Sequence, residues 1–124
     1  MSGANIQFFF TLRDTLKIHH WQTNEYSTHT AIDKAIEDLD ELVDQYVEVY
    51  MSRFNRPRFS AGTTVTLKSL TRKVIIKMLT DSTKYLQGPV FLKGLSQTSH
   101  SDLFNIRDEI VAVIQRLLYL FTLH

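Results

Sequence analysis

The sequence predicts an all-α domain of four packed helices, and three observations carry that prediction. Apolar residues recur at helical spacing in four separate segments. Only four glycines and two prolines punctuate 124 residues, too few for a many-turned β fold. The composition, 44% hydrophobic and 22% charged, is too apolar for disorder and suffices for one core but not two. Residues 1–124 are therefore expected to form a single domain.

The first helix is predicted over about residues 4–23, where Phe8, Phe9, Leu12 and Leu16 line one face and His20 continues the row. A polar turn follows, with Asn24, Ser27 and Thr28 as cap residues. The second helix, about 28–54, has the cleanest pattern: Ile32, Ile36, Leu39, Val43, Tyr46, Tyr50 and Phe54 step by three or four. Such a helix is ~40 Å long. Residues 55–66, with Pro57, Gly62 and a β-branched run, interrupt the pattern. A third helix is read over about 67–87 from Leu67, Leu70, Val74, Met78 and Tyr85, ending before Gly88-Pro89. Ser99 to Asp102 reads as a capping box. The last helix follows it, with Ile106, Ile110, Val113, Ile114, Leu117, Leu118 and Phe121.

The second connection sets the topology. Twelve extended residues reach ~40 Å, the length of the second helix, so the loop spans the bundle and starts the third helix at the far end. That connectivity is the ferritin-like four-helix bundle with a long crossover between the second and third helices. The last helix is apolar almost all round between Ile110 and Leu123. One bundle does not bury every side of its own helix, which predicts an oligomer.

Charge is divided along the chain. Residues 25–48 carry eight acids against Lys34 alone, and residues 53–93 carry nine Lys or Arg against Asp81 alone. The bland expectation is two helices of opposite sign packed side by side, and the sharper one is a nucleic-acid surface. The pI near 8.0 is low for a dedicated nucleic-acid domain. With no cysteine and no charged leader before an apolar run, the chain is expected to be cytoplasmic. Its longest apolar stretch, from Ile110 to Leu123, is too short to span a membrane.

Chemistry concentrates on the second helix. Asp33, Glu37, Asp40, Asp44 and Glu48 form a row beside the buried seam, and His29 extends it back by one turn. His29 with Asp33, and Asp44 with Glu48, are pairs four apart that share a face and suit one metal ion each. A solvated acidic face explains the same row without any ligand. No Glu-x-x-His or Asp-x-x-His occurs, so a di-iron site inside one bundle is not expected. His19, His20 and Trp21 point in three directions at ~100° intervals, so the two histidines do not face one metal. A histidine ending an apolar row is also an ordinary core or interface residue. His100 and His124 read as structural or incidental. No cysteine nucleophile and no Gly-rich phosphate loop is present.

The stretch LRDTLKIHHWQTNEYSTHTAIDKAIEDLDELVDQYVEVYMSRF resembles the mini-ferritins, the DNA-binding proteins from starved cells. The match lies in His20-Trp21, in His29 with Asp33 four residues on, and in Asp44 with Glu48, eleven residues further. It is specific over about 12–54 and weaker over 101–123, where IRDEIVAVIQRLLYLF resembles the family's last helix. The resemblance implies a ferritin-like bundle in a twelve-subunit shell, oxidising Fe(II) to Fe(III) at two-fold interfaces for storage or detoxification. It implies that His20 of one subunit joins Asp44 and Glu48 of its partner on one iron. His29 and Asp33 would serve a second metal position, and Trp21 would intercept oxidising radicals. The chain departs from the family in a shorter turn before His29, a shorter crossover and the lack of a basic N-terminal arm. DNA binding is accordingly expected to be weak. The competing expectation is a non-catalytic oligomeric bundle, possibly associated with nucleic acid.

Overall fold

Helices form where the apolar rows recur. A computed structural model, which describes residues 1–59 and 61–123, contains α1 (Gly3–Gln22), α2 (Tyr26–Arg53), α3 (Arg72–Leu86) and α4 (Ser101–Leu120). There is no strand among the described residues. His124, read above as incidental, lies outside them.

The helix starts are set by side chains that offer oxygen to free backbone N–H groups. The Ser2 hydroxyl accepts from Asn5 N–H at 3.3 Å, and the Thr71 hydroxyl accepts from Val74 N–H at 3.3 Å. The expected capping box at Ser99 does not form. His100 is the N-cap of α4, its Nδ1 accepting from Ser96 N–H at 3.0 Å. Asp102 instead takes Arg53 at 2.6 Å, which ties the end of α2 to the start of α4.

The third helix differs most from its prediction. Residues 67–71 lie outside the helix, and the hydroxyl of Thr71 starts it at Arg72. Its buried row is Ile75, Leu79 and Leu86 rather than Leu67 and Val74, which are exposed. Ser82 and Thr83 complete the buried face, because their hydroxyls donate to the Met78 and Thr80 carbonyls and so need no water. A core face carrying two hydroxyls gives a thin apolar signal, and that shifted the reading by one position.

The crossover therefore spans residues 54–71, longer than the twelve residues read from the pattern. It follows α1 from end to end. Phe59 packs on Gly3, where a Cβ would meet the ring at 3.1 Å, so glycine permits the close approach. Further along, Gln7 Nε2 donates to the Thr64 carbonyl at 2.8 Å and Gln22 Nε2 to the Ser69 hydroxyl at 2.8 Å.

Each helix touches two others: α1 packs on α2 and α3, and α4 packs on α2 and α3. The contacts fix the directions. Phe9 meets Tyr46, Arg53 meets Asp102, Arg107 reaches the Leu86 carbonyl, and Tyr85 donates to Asn5. All neighbours run antiparallel, while the diagonal pairs α1/α4 and α2/α3 run parallel. This is a four-helix bundle with one long crossover, the connectivity the loop length predicts.

Acidic α2 and basic α3 are thus diagonal, which corrects the expectation that they pack side by side. Arg72 links their ends, through Glu25 at 3.5 Å. Arg72 also donates to the Thr28 hydroxyl and the Phe121 carbonyl and lies over the Phe121 ring, closing that end of the bundle. At the other end an aromatic group of Phe8, Phe9, Tyr46, Tyr85 and Phe91 fills the core. Burial holds the Tyr46 phenol well above its ordinary range.

Candidate metal-binding face

Three residues, 23–25, turn the chain between α1 and α2, and this tight turn brings His20 and His29 together. Their rings stack with centroids 3.8 Å apart and planes 16° from parallel. Each Nδ1 lies 2.8 Å from the other residue's backbone carbonyl. A carbonyl only accepts, so both Nδ1 atoms carry the proton and donate. In the neutral form of each ring, that arrangement leaves the lone pair on Nε2.

The bond from His29 has a structural use as well. It satisfies the His20 carbonyl, one of the four that the last turn of α1 leaves without an intrahelical partner. An Nδ1–H held by a backbone carbonyl is also how metal-binding histidines are oriented and their tautomer fixed. His20 is buried, and its Nε2 lies 3.9 Å from an oxygen of exposed Asp33.

His19 takes the opposite direction. It is buried against the Leu70 backbone at the end of the crossover, and its Nδ1 is enclosed with no hydrogen-bond partner among the described residues. Burial, reinforced by the nearby Arg72 charge, pulls its pKa below the ordinary value. The two adjacent histidines thus serve different interfaces, as the 100° step predicts.

The acidic row is exposed along the outer flank of α2 nearest α1. Arg13 of α1 claims Asp40 at 3.0 Å, a partner the sequence reading missed. The opposite charges were visible, but their pairing depends on the register between two helices. Asp44 stands at the rim of an apolar groove of about 610 Å³ lined by Phe9, Phe10, Val43 and Phe59. Trp21 is 66% exposed on the outside of α1, with Lys17 Nζ 5.5 Å from its ring centre.

Asp44 lies eleven residues beyond Asp33 on the same helix, an axial separation of ~16 Å. One ion does not bridge that distance. Among the described residues, no three His, Asp or Glu side chains of a single chain converge on a point that would hold a metal. The structure brings His20, His29 and Asp33 to one end of the face and leaves Asp44 and Glu48 at the other.

The fold and this face define a class: an all-α four-helix bundle with a buried His20 stacked on His29 at one end of an exposed row of carboxylates on α2. Over residues 20–121 the chain matches the family of unknown function DUF5856, and it belongs to that family. No curated protein and no solved structure matches it. No described helix is long and apolar enough to cross a membrane.

Proposed function

We propose that this protein is an iron-handling bundle of the mini-ferritin kind, in which pairs of copies bind Fe(II) as substrate and oxidise it to Fe(III). His20 of one copy, with Asp44 and Glu48 of its partner, would hold one iron, and His29 with Asp33 would serve the second position. Two Fe(II) ions give one electron each to a peroxide, its O–O bond breaks, and two protons complete the waters. Carboxylates suit Fe(III), imidazole accommodates Fe(II), and open positions admit the oxidant. The setting expected for this chemistry is the cytoplasm, with storage or detoxification of iron as its result.

The observation that carries the reading is the reciprocal Nδ1–carbonyl bonding of His20 and His29, which commits both rings to the tautomer a metal ligand requires. Two further features support it. The crossover connectivity is the one ferritin-like bundles use, and the ligand types are split between two ends of one face, as a site shared by two chains demands.

The test is anaerobic titration with Fe(II), followed by peroxide. The chain should bind iron and convert it to a ferric species absorbing toward the ultraviolet. An oxidation rate equal to that of buffer would favour the alternative of a non-catalytic oligomeric bundle.

A second reading has its own observation. Because α3 is diagonal to α2, the exposed Lys73, Lys77 and Lys84 face away from the acidic row, and Arg56, Arg58 and Lys68 of the crossover are exposed too. This surface would contact DNA weakly, through counterion release, and lose it at ~0.5 M salt. Retention of DNA at that salt would show a specific interface instead.

A further inference from the structure

The core leaves one side of α4 uncovered, and that side meets a row of small residues on α2. Ala31 and Ala35 of α2 and Ala112 of α4 are too short to close the seam between the two helices, which leaves a groove of about 500 Å³. That is the size of a cleft for a small molecule, ~300–1,000 Å³. Leu117, Leu120 and Leu123 line it from the α4 side, and Leu123 is 50% exposed. Such walls suit an aliphatic chain, and the charges on the rim decide what that chain carries.

Two contacts set the levels along the groove. Arg72 bonds to both Thr28 and Phe121, and Arg53 bonds to Asp102, so antiparallel α2 and α4 bring Lys34 level with Arg116. Both cations line the groove. Lys34 is engaged by Asp38 at 3.0 Å, and Glu37, which also favours its charge, does not line the groove. Arg116 makes no hydrogen bond or ion pair among the described residues, and its charge works against that of Lys34. The rim therefore holds one unmatched positive charge. From Arg116 to Leu123 the groove runs ~10 Å further along α4, with no charged side chain among the described residues lining that stretch. In the other direction it meets Asp38 and Glu109.

We propose that this groove binds a free single-chain carboxylate, a fatty acid of medium length, with its carboxylate on Arg116 and its chain running past Leu120 toward Leu123. A guanidinium fork matches a carboxylate with two parallel hydrogen bonds. Lys34 adds attraction at longer range. A chain laid the other way would carry its methylenes onto two carboxylates. A cationic head finds a poorer place, because Lys34 already neutralises Asp38. The groove is sunk between two helices, so it takes one free chain rather than the surface of a bilayer. None of its lining residues is assigned to iron, and the proposal stands apart from that reading.

Calorimetric titration of the full chain with octanoate, decanoate and dodecanoate, each below its micelle concentration, tests the groove. Affinity should rise by up to about fourfold for each methylene that becomes buried. Decanoate should bind more tightly than decanol or decylammonium. No binding of decanoate, or equal affinity for decanoate and decylammonium, would overturn the proposal. Binding to vesicles of anionic lipid with none to free decanoate would do the same.

Two variants locate the ligand. Arg116 is exposed, so Arg116→Gln should fold as the parent does. It should lose about fivefold in decanoate affinity and leave decanol unchanged. Ala31→Phe fills the groove and should abolish binding of both. Ala31 is half-buried, so urea unfolding comes first for that variant, and if it does not fold Arg116→Gln decides alone. Decanoate affinity untouched by Arg116→Gln, or lost in equal measure with that for decanol, would overturn the assignment. So would parental affinity in a folded Ala31→Phe chain.

Discussion

At the scale of single residues, the His20–His29 contact separates structural from chemical roles. His29→Phe keeps a ring for the stack but removes the Nδ1–H that serves the His20 carbonyl. That carbonyl then lacks its donor, and the substitution should cost about 1–3 kcal/mol in urea unfolding. Asp44→Asn with Glu48→Gln should behave differently. Both side chains are exposed and paired with nothing among the described residues, so stability should stay within ~0.5 kcal/mol of the parent. Iron oxidation should fall to the buffer rate. A loss of stability comparable with that of His29→Phe would assign the carboxylates to folding. The four-residue spacings of these pairs were legible in sequence because a helix translates them into a shared face. The stacking of two histidines nine apart was not, since it depends on how three turn residues close.

At the scale of elements, legibility follows the strength of the apolar row. On α2 four of the predicted seam residues, Ile32, Ile36, Leu39 and Tyr46, are buried, because a long helix between two neighbours needs an unbroken stripe. On α3 the stripe is diluted by Ser82 and Thr83, and the start depends on one hydroxyl. Thr71→Ala should cost about 1 kcal/mol and fray the first turn. Faster amide exchange at Val74 than at Leu79 would be its signature. The join between α2 and α4 carries a pH dependence. The Arg53 guanidinium holds the Asp102 carboxyl below its ordinary range, so the folded chain favours the charged form. Stability from this pair is present above the ordinary carboxylate range and is lost as the pH falls through the lowered value. Arg53→Met should make the urea midpoint less sensitive to acid below the ordinary carboxylate range.

At the scale of the whole molecule, diagonal placement of α2 and α3 puts acid and base on different sides, which neither helix alone reveals. The acidic side is the one that carries the histidines, so a copy related by a two-fold is the simplest source of the missing ligands. Mixing subunits tests this directly. A His20→Ala chain retains Asp44 and Glu48, whereas an Asp44→Asn/Glu48→Gln chain retains His20. Either alone assembles only broken sites if every site draws its histidine from one chain and its carboxylates from the other. A mixed pair has one site with all three ligands and one with none. Refolding an equal mixture makes about half of the pairs mixed, so oxidation should return to about a quarter of the parent rate. A site confined to one chain gives no recovery, since neither variant holds a full set. Activity no higher than in either variant, with mixed pairs confirmed by native mass measurement, would refute the shared site.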